Sequence, residues 1–220
     1  ANTVYDVTIA GGDLADFTGE VGLDLAGGQN ITDTAGNALP AGDPATDETY
    51  TLDNTAPGLT SFVRQTPLAS PTNADSLVFR VTFSENVQNV DAGDFRVNGT
   101  TTATVTNVAV VTANTVYDIT VSGGNLAGFT GVVGLDLAGG QNITDMVGNA
   151  LPAGEPATDE TYFVDNTGPT VTINQAGGQT DPTTTLPINF TVEFSEPVTG
   201  FTETDVTLTG TAGTATVTGS

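Results

Sequence analysis

Residues 113–121 read ANTVYDITV, and residues 1–9 read ANTVYDVTI. The stretch has two properties that decide the fold. Tyr117, Ile119 and Val121 alternate with Asp118 and Thr120, the period-two pattern of a strand with one face on a core and one in water. It is also one copy of two, separated by 112 residues, and a fixed internal period is the signature of a repeat architecture.

Working outward, residues 1–56 aligned with 113–168 are identical at 44 of 56 positions. The other half repeats more loosely. DNTAP at 53–57 matches DNTGP at 165–169, and VTFSE at 81–85 matches VEFSE at 192–196 with one residue deleted between. The expected organisation is one complete repeat over residues 57–168, preceded by the C-terminal half of another (1–56) and followed by the N-terminal half of a third (169–220). Such a chain reads either as an excerpt from a longer array or as a subunit whose halves complement those of its neighbours.

The same alternation recurs along the repeat. Leu77, Phe79, Val81 and Phe83 are expected inward, with Val78, Arg80 and Thr82 outward; Ile188, Phe190, Val192 and Phe194 do the same in the last segment. Val133, Leu135 and Leu137 face inward with Asp136 outward, and Tyr162 and Val164 form a final strand. Phe163 is an apolar residue on the water side. About seven short strands in roughly 110 residues, separated by turn signals, indicate an immunoglobulin-like β-sandwich. No helix has a credible start, period and stop. The fold class is therefore all-β, with tandem sandwiches head to tail, and Ala138 to Glu160 as one long irregular loop.

Composition removes several functions. Arg64, Arg80 and Arg96 are the only basic residues against 26 acidic ones, for a net charge of −23, and Cys, His, Lys and Trp are absent. Zinc sites of the ordinary kind, Ser-His-Asp and Cys-His nucleophiles and disulfides cannot be built. Nucleic acid is not an expected partner, because phosphate neutralisation needs clustered cations, and no apolar run is long enough to insert into a membrane. Asp47-Glu48 and Asp159-Glu160 are adjacent, so on a strand they point to opposite faces and make no carboxylate pair; the chain is not expected to be an enzyme.

FSEPVTGFTETDVTLTGTAG (194–213) and its variant FSENVQNVDAGDFRVNG (83–99) resemble the opening half of bacterial Ig-like repeats, and ITDTAGNAL (31–39) and ITDMVGNAL (143–151), each followed by a last strand and a DNTxP joint, resemble the closing half. That resemblance implies a structural region of a large surface or secreted protein, such as an adhesin, a biofilm protein or a filament component. It implies an extracellular, cell-surface stalk whose partners are neighbouring repeats or identical subunits. A module recognising a surface glycan or protein is the alternative, and a filament of strand-exchanged half domains is another.

The candidate chemistry lies at the joints. Asp53 and Asn54 precede Pro57, and Asp165 and Asn166 precede Pro169. In a head-to-tail array the corner carrying Glu85 (or Glu196) and the loop at Asp145 should face the linker. Asp53, Asn54, Glu85 and Asp145 could then converge with backbone carbonyls on a Ca²⁺ ion, which takes hard oxygen ligands. Asp165, Asn166 and Glu196 would repeat the arrangement. The competing expectation is that Asp145 caps its own turn, with Gly148 at a positive-φ position.

Overall fold

In the computed structural model of the chain, residues 3–42, 44–210 and 216–217 are described. The first two residues of ANTVYD and residues 211–213 of the last repeat motif lie outside them. The chain divides into two compact units, Ala1–Asp165 and Asn166–Ser220.

The first unit carries β1 (Gly19–Val21), β2 (Tyr50–Leu52), β3 (Leu59–Thr66), β4 (Ser76–Phe83), β5 (Val87–Gln88) and β6 (Phe95–Gly99). It continues with β7 (Thr104–Thr112), β8 (Val116–Ser122), β9 (Thr130–Leu137), β10 (Thr144–Asp145), β11 (Thr158–Asp159) and β12 (Tyr162–Asp165). The second unit has β13 (Val171–Gln175) and β14 (Phe190–Phe194). Helical structure among the described residues is confined to three-residue 3₁₀ turns, and no helix is long and apolar enough to cross a membrane.

Residues 57–165 build a β-sandwich-like body. One sheet runs β11-β3-β4-β8-β7 and the other β12-β9-β6, with β10 on β5 at one end. Pairing is antiparallel except for β11 on β3. The alternation in sequence becomes burial in space: Leu77, Phe79, Val81 and Phe83 of β4 are buried, as are Tyr117, Ile119 and Val121 of β8. Each such side chain taken from water contributes about 1.5–3 kcal/mol.

Edge-to-face rings join the two sheets. Phe79 of β4 meets Tyr162 of β12 at 5.1 Å between centroids, and Phe62 of β3 meets Phe95 of β6 at 6.3 Å. The Tyr162 hydroxyl donates to the Val78 carbonyl (2.8 Å) and accepts from the Gln65 N–H (3.1 Å), so this core tyrosine is polar-satisfied.

Two expectations need correction. Asp136, expected in water, is buried, because the Arg96 guanidinium and the Asn98 amide of the neighbouring strand reach over its carboxylate. The loop from Ala138 to Glu160 is interrupted by β10 and β11. Phe163 is on the water side as expected, 42% exposed, and faces Val132 across the ladder.

The near-identical segment 1–56 has another fate. Tyr117 is 4% exposed but Tyr5 is 76%; Leu135 is 0% but Leu23 is 52%; Tyr162 is 0% but Tyr50 is 81%. Residues 4–10 form no strand, although their copy is all of β8. The cause lies in the ladder. β8 pairs only with β4 and β7, and the far half of β9 pairs only with β6, all supplied by the first half of the repeat. What survives in 1–56 is the piece whose partners are both local: β1 pairs β2 as β9 pairs β12. The second unit shows the converse. β13 and β14 pair like β3 and β4, while Val206–Gly210, the counterpart of β6, forms no strand.

The twin tyrosines give an internal control. Tyr162→Phe strands a carbonyl and an amide N–H inside the body and should cost about 1–3 kcal/mol in urea unfolding. Tyr50→Phe should stay within about 0.5 kcal/mol of the parent.

Candidate metal centre

Three chain segments meet beside the first DNTxP joint. The linker leaves β2 at Leu52 and enters β3 at Leu59, with Pro57 buried. The second segment is the corner after β4, where the Gly58 N–H donates to the Ser84 hydroxyl (2.8 Å) and the Ser84 N–H donates to the Gly58 carbonyl (2.8 Å). That reciprocal clamp places Glu85. Thr170 and Ser195 make the same pair of bonds in the second unit (2.9 Å each), ahead of Glu196.

The third segment is the Asp145 loop. One Asp145 oxygen accepts from the N–H groups of Val147 (2.9 Å), Gly148 (2.7 Å) and Asn149 (2.8 Å), and the other accepts from the Asn149 amide (2.7 Å). Gly148 has φ of 107°, a conformation glycine adopts without a steric penalty. Asp33 builds the same turn in the first segment, accepting from Ala35, Asn37 and the Asn37 amide. The turn is therefore a property of the local sequence, and Asp145 is a turn cap. It is also more than that. The Asn149 amide reaches the Asp53 carbonyl (3.0 Å) and the Thr55 carbonyl (3.3 Å), tying the loop to the linker.

The result is a carboxylate cluster. Asp53, Glu85 and Asp145 each place an oxygen within 4.8 Å of the others, with Asp145 buried and the other two half-buried. Each arginine of the chain pairs elsewhere: Arg64 with Glu160, Arg80 with Asp118, Arg96 with Asp136. The like charges show in the titration. Burial pushes the Glu85 carboxyl above its ordinary value, and Asp53 and Asp145 push it further. At Asp145 burial acts upward too, but the bonds from Asn149, Gly148 and Val147 outweigh it and hold the group below the usual carboxylate range. Three close oxygens of carboxylates, with carbonyls nearby, fit the ligand chemistry of a calcium ion.

The remaining expected ligands sit apart from this cluster or outside its segment. The Asn54 amide donates to the carbonyls of Phe17 (2.7 Å) and Leu14 (3.2 Å), toward the preceding half repeat. Asp165 ends the first unit and accepts from the Thr130 hydroxyl (3.3 Å); Asn166 and Glu196 belong to the second unit. Reading the sequence missed Asn149 as the loop-to-linker strut, since nothing local distinguishes it from Asn37. It also missed a second acidic group, Asp136, Glu155 and Asp159. There burial first, and Asp136 next, raise Glu155 and Asp159, while Arg96 already pairs with Asp136. Glu160 turns the other way, toward Arg64.

No protein-family model, curated protein or solved structure matches the chain.

The raised Glu85 carboxyl fixes a sign. A carboxyl whose folded pKa is raised contributes stability below its ordinary value of 4.5, and loses it as pH rises through the folded value. Without metal, Glu85→Gln should therefore stabilise at pH 7 by about 0.2–1 kcal/mol, the range for partly exposed charges. The advantage should vanish in denaturation curves as pH falls below 4.5.

Proposed function

We propose that this chain is a structural repeat region: Ig-like sandwiches in head-to-tail series, stiffened by Ca²⁺ at their joints, forming an extended stalk at a bacterial cell surface. The observation that carries the reading is the un-neutralised cluster of Asp53, Glu85 and Asp145. Its members come from the linker, the corner after β4 and the Asp145 loop, three segments that must be fixed together if two successive repeats are to keep one orientation. A divalent ion held there opposes the mutual repulsion of the carboxylates and locks the linker against the sandwich.

The internal repetition supports the same reading. The Asp145 loop and its copy at Asp33 differ at only two of the nine positions of ITDxxGNAL, as suits a spacer in which each unit does the same work. The acidity, −23 over the chain, keeps such polymers soluble and apart.

Titration of the metal-stripped chain with CaCl₂ in a calorimeter should give a dissociation constant on the order of 10⁻⁴–10⁻³ M, typical of extracellular modules. Saturation at a hundredfold excess over that constant should add about 2.7 kcal/mol to unfolding stability. Asp53→Asn and Glu85→Gln should each weaken binding. No heat and no thermal shift up to about 10 mM, tenfold above the weak end of that range, would overturn the calcium reading.

A further inference from the structure

We propose that Asn54 and Asn149 together lock the first joint in the metal-free chain, fixing the preceding half repeat against the sandwich body with no ion present. The acidic cluster poses the problem. Asp53, Glu85 and Asp145 place oxygens within 4.8 Å of one another, and without an ion their like charges work to drive the linker off the Asp145 loop. The linker is nonetheless seated there, so neutral contacts hold it. Two asparagine side chains supply them.

The linker is gripped from both sides. On the body side, the Asn149 amide donates to the Asp53 carbonyl (3.0 Å), the Thr55 carbonyl (3.3 Å) and the Asp145 carboxylate (2.7 Å). Two N–H groups thus serve three acceptors, one of them being shared, and the bond to the carboxylate is charge-assisted. On the other side, the Asn54 amide commits both N–H groups to the carbonyls of Leu14 (3.2 Å) and Phe17 (2.7 Å). The Asn54 backbone N–H donates to the Thr18 hydroxyl (2.9 Å), and the Thr18 and Thr55 hydroxyls bond each other (2.9 Å). The Thr55 N–H closes on the Asp53 side chain (3.1 Å), and Pro57 has a φ fixed by its ring. Three residues so anchored cannot behave as a flexible coil. The asparagines set the direction of the joint, and an ion, where held, offsets its charge. This goes beyond the calcium reading and does not rest on it.

The test uses the whole chain in EDTA. The chain has no cysteine of its own, so Thr51→Cys on β2 and Ala109→Cys on β7, both at exposed positions, carry a pair of spin labels across the joint. Double electron–electron resonance should give a single narrow distance distribution. Asn149→Leu, which keeps the size of the side chain and removes its donors, and Asn54→Leu should each broaden it roughly twofold, toward the spread of a flexible linker. Near-ultraviolet dichroism of the buried Tyr117 and Tyr162 should be retained, since neither asparagine belongs to the buried core. A parent distribution in EDTA as broad as those of the variants overturns the proposal, as does an unchanged width in either variant with the dichroism retained. Should Asn149→Leu lose the dichroism, Asn54→Leu decides alone, because its side-chain bonds go to Leu14 and Phe17, outside the sandwich body. Because EDTA removes divalent ions, calcium binding can fail with the lock intact, and the reverse.

Discussion

A β-strand exists only where a second strand offers its backbone hydrogen bonds and a buried face, and this chain demonstrates it with two copies of one sequence. VYDITVS at 116–122 is β8; VYDVTIA at 4–10 is not a strand. The three substitutions between them are conservative (Ile119 for Val7, Val121 for Ile9, Ser122 for Ala10), so propensity cannot account for the difference. The neighbours can. β4 and β7 flank β8 on both edges, and both come from the half of the repeat that precedes it in sequence. Among the described residues, no strand pairs with residues 4–10. Burial follows pairing, since a side chain reaches the core only when its strand is held in the ladder.

What local sequence can hold by itself persists in both copies. The Asp33 and Asp145 turns close on the same backbone groups. Phe17 covers Gly19 and Phe129 covers Gly131 so closely that a Cβ on either glycine would lie 2.9 or 2.8 Å from the ring. These features need partners only a few residues away. The sandwich needs partners up to a whole repeat away, which makes its assembly a non-local event. The joint is built from both kinds: a locally fixed Asp145 turn and a clamped Ser84 corner are brought to a linker that arrives from the preceding half repeat. The acidic cluster is a consequence of that convergence.

Much of this was legible in the residues. Period-two alternation located β4, β8 and β12 and their inward faces, and the repeat located the joint. Asp53, Glu85 and Asp145 could be named because each sits at a turn signal or at the repeat's joint. Asp136 was misplaced because period two assigns a face and not its environment; Arg96 and Asn98, some 40 positions earlier in the chain, decide that it is covered. Asn54 was expected to turn toward the cluster, yet its amide goes to Leu14 and Phe17, contacts no local pattern announces. The expected inward positions Phe190 and Ile188 are 56% and 52% exposed, since an amphipathic pattern states what a strand can bury and not whether a partner is present.

The central claim is that near-identical strand sequences are ordered here by their partners alone. Residue-resolved amide hydrogen exchange on the dilute, metal-free chain tests it directly, by comparing Val4–Ala10 with Val116–Ser122. The account predicts slow exchange at the ladder amides of Val116–Ser122 and exchange near the unstructured rate at Val4–Ala10. Equal protection of the two segments in dilute solution would contradict it.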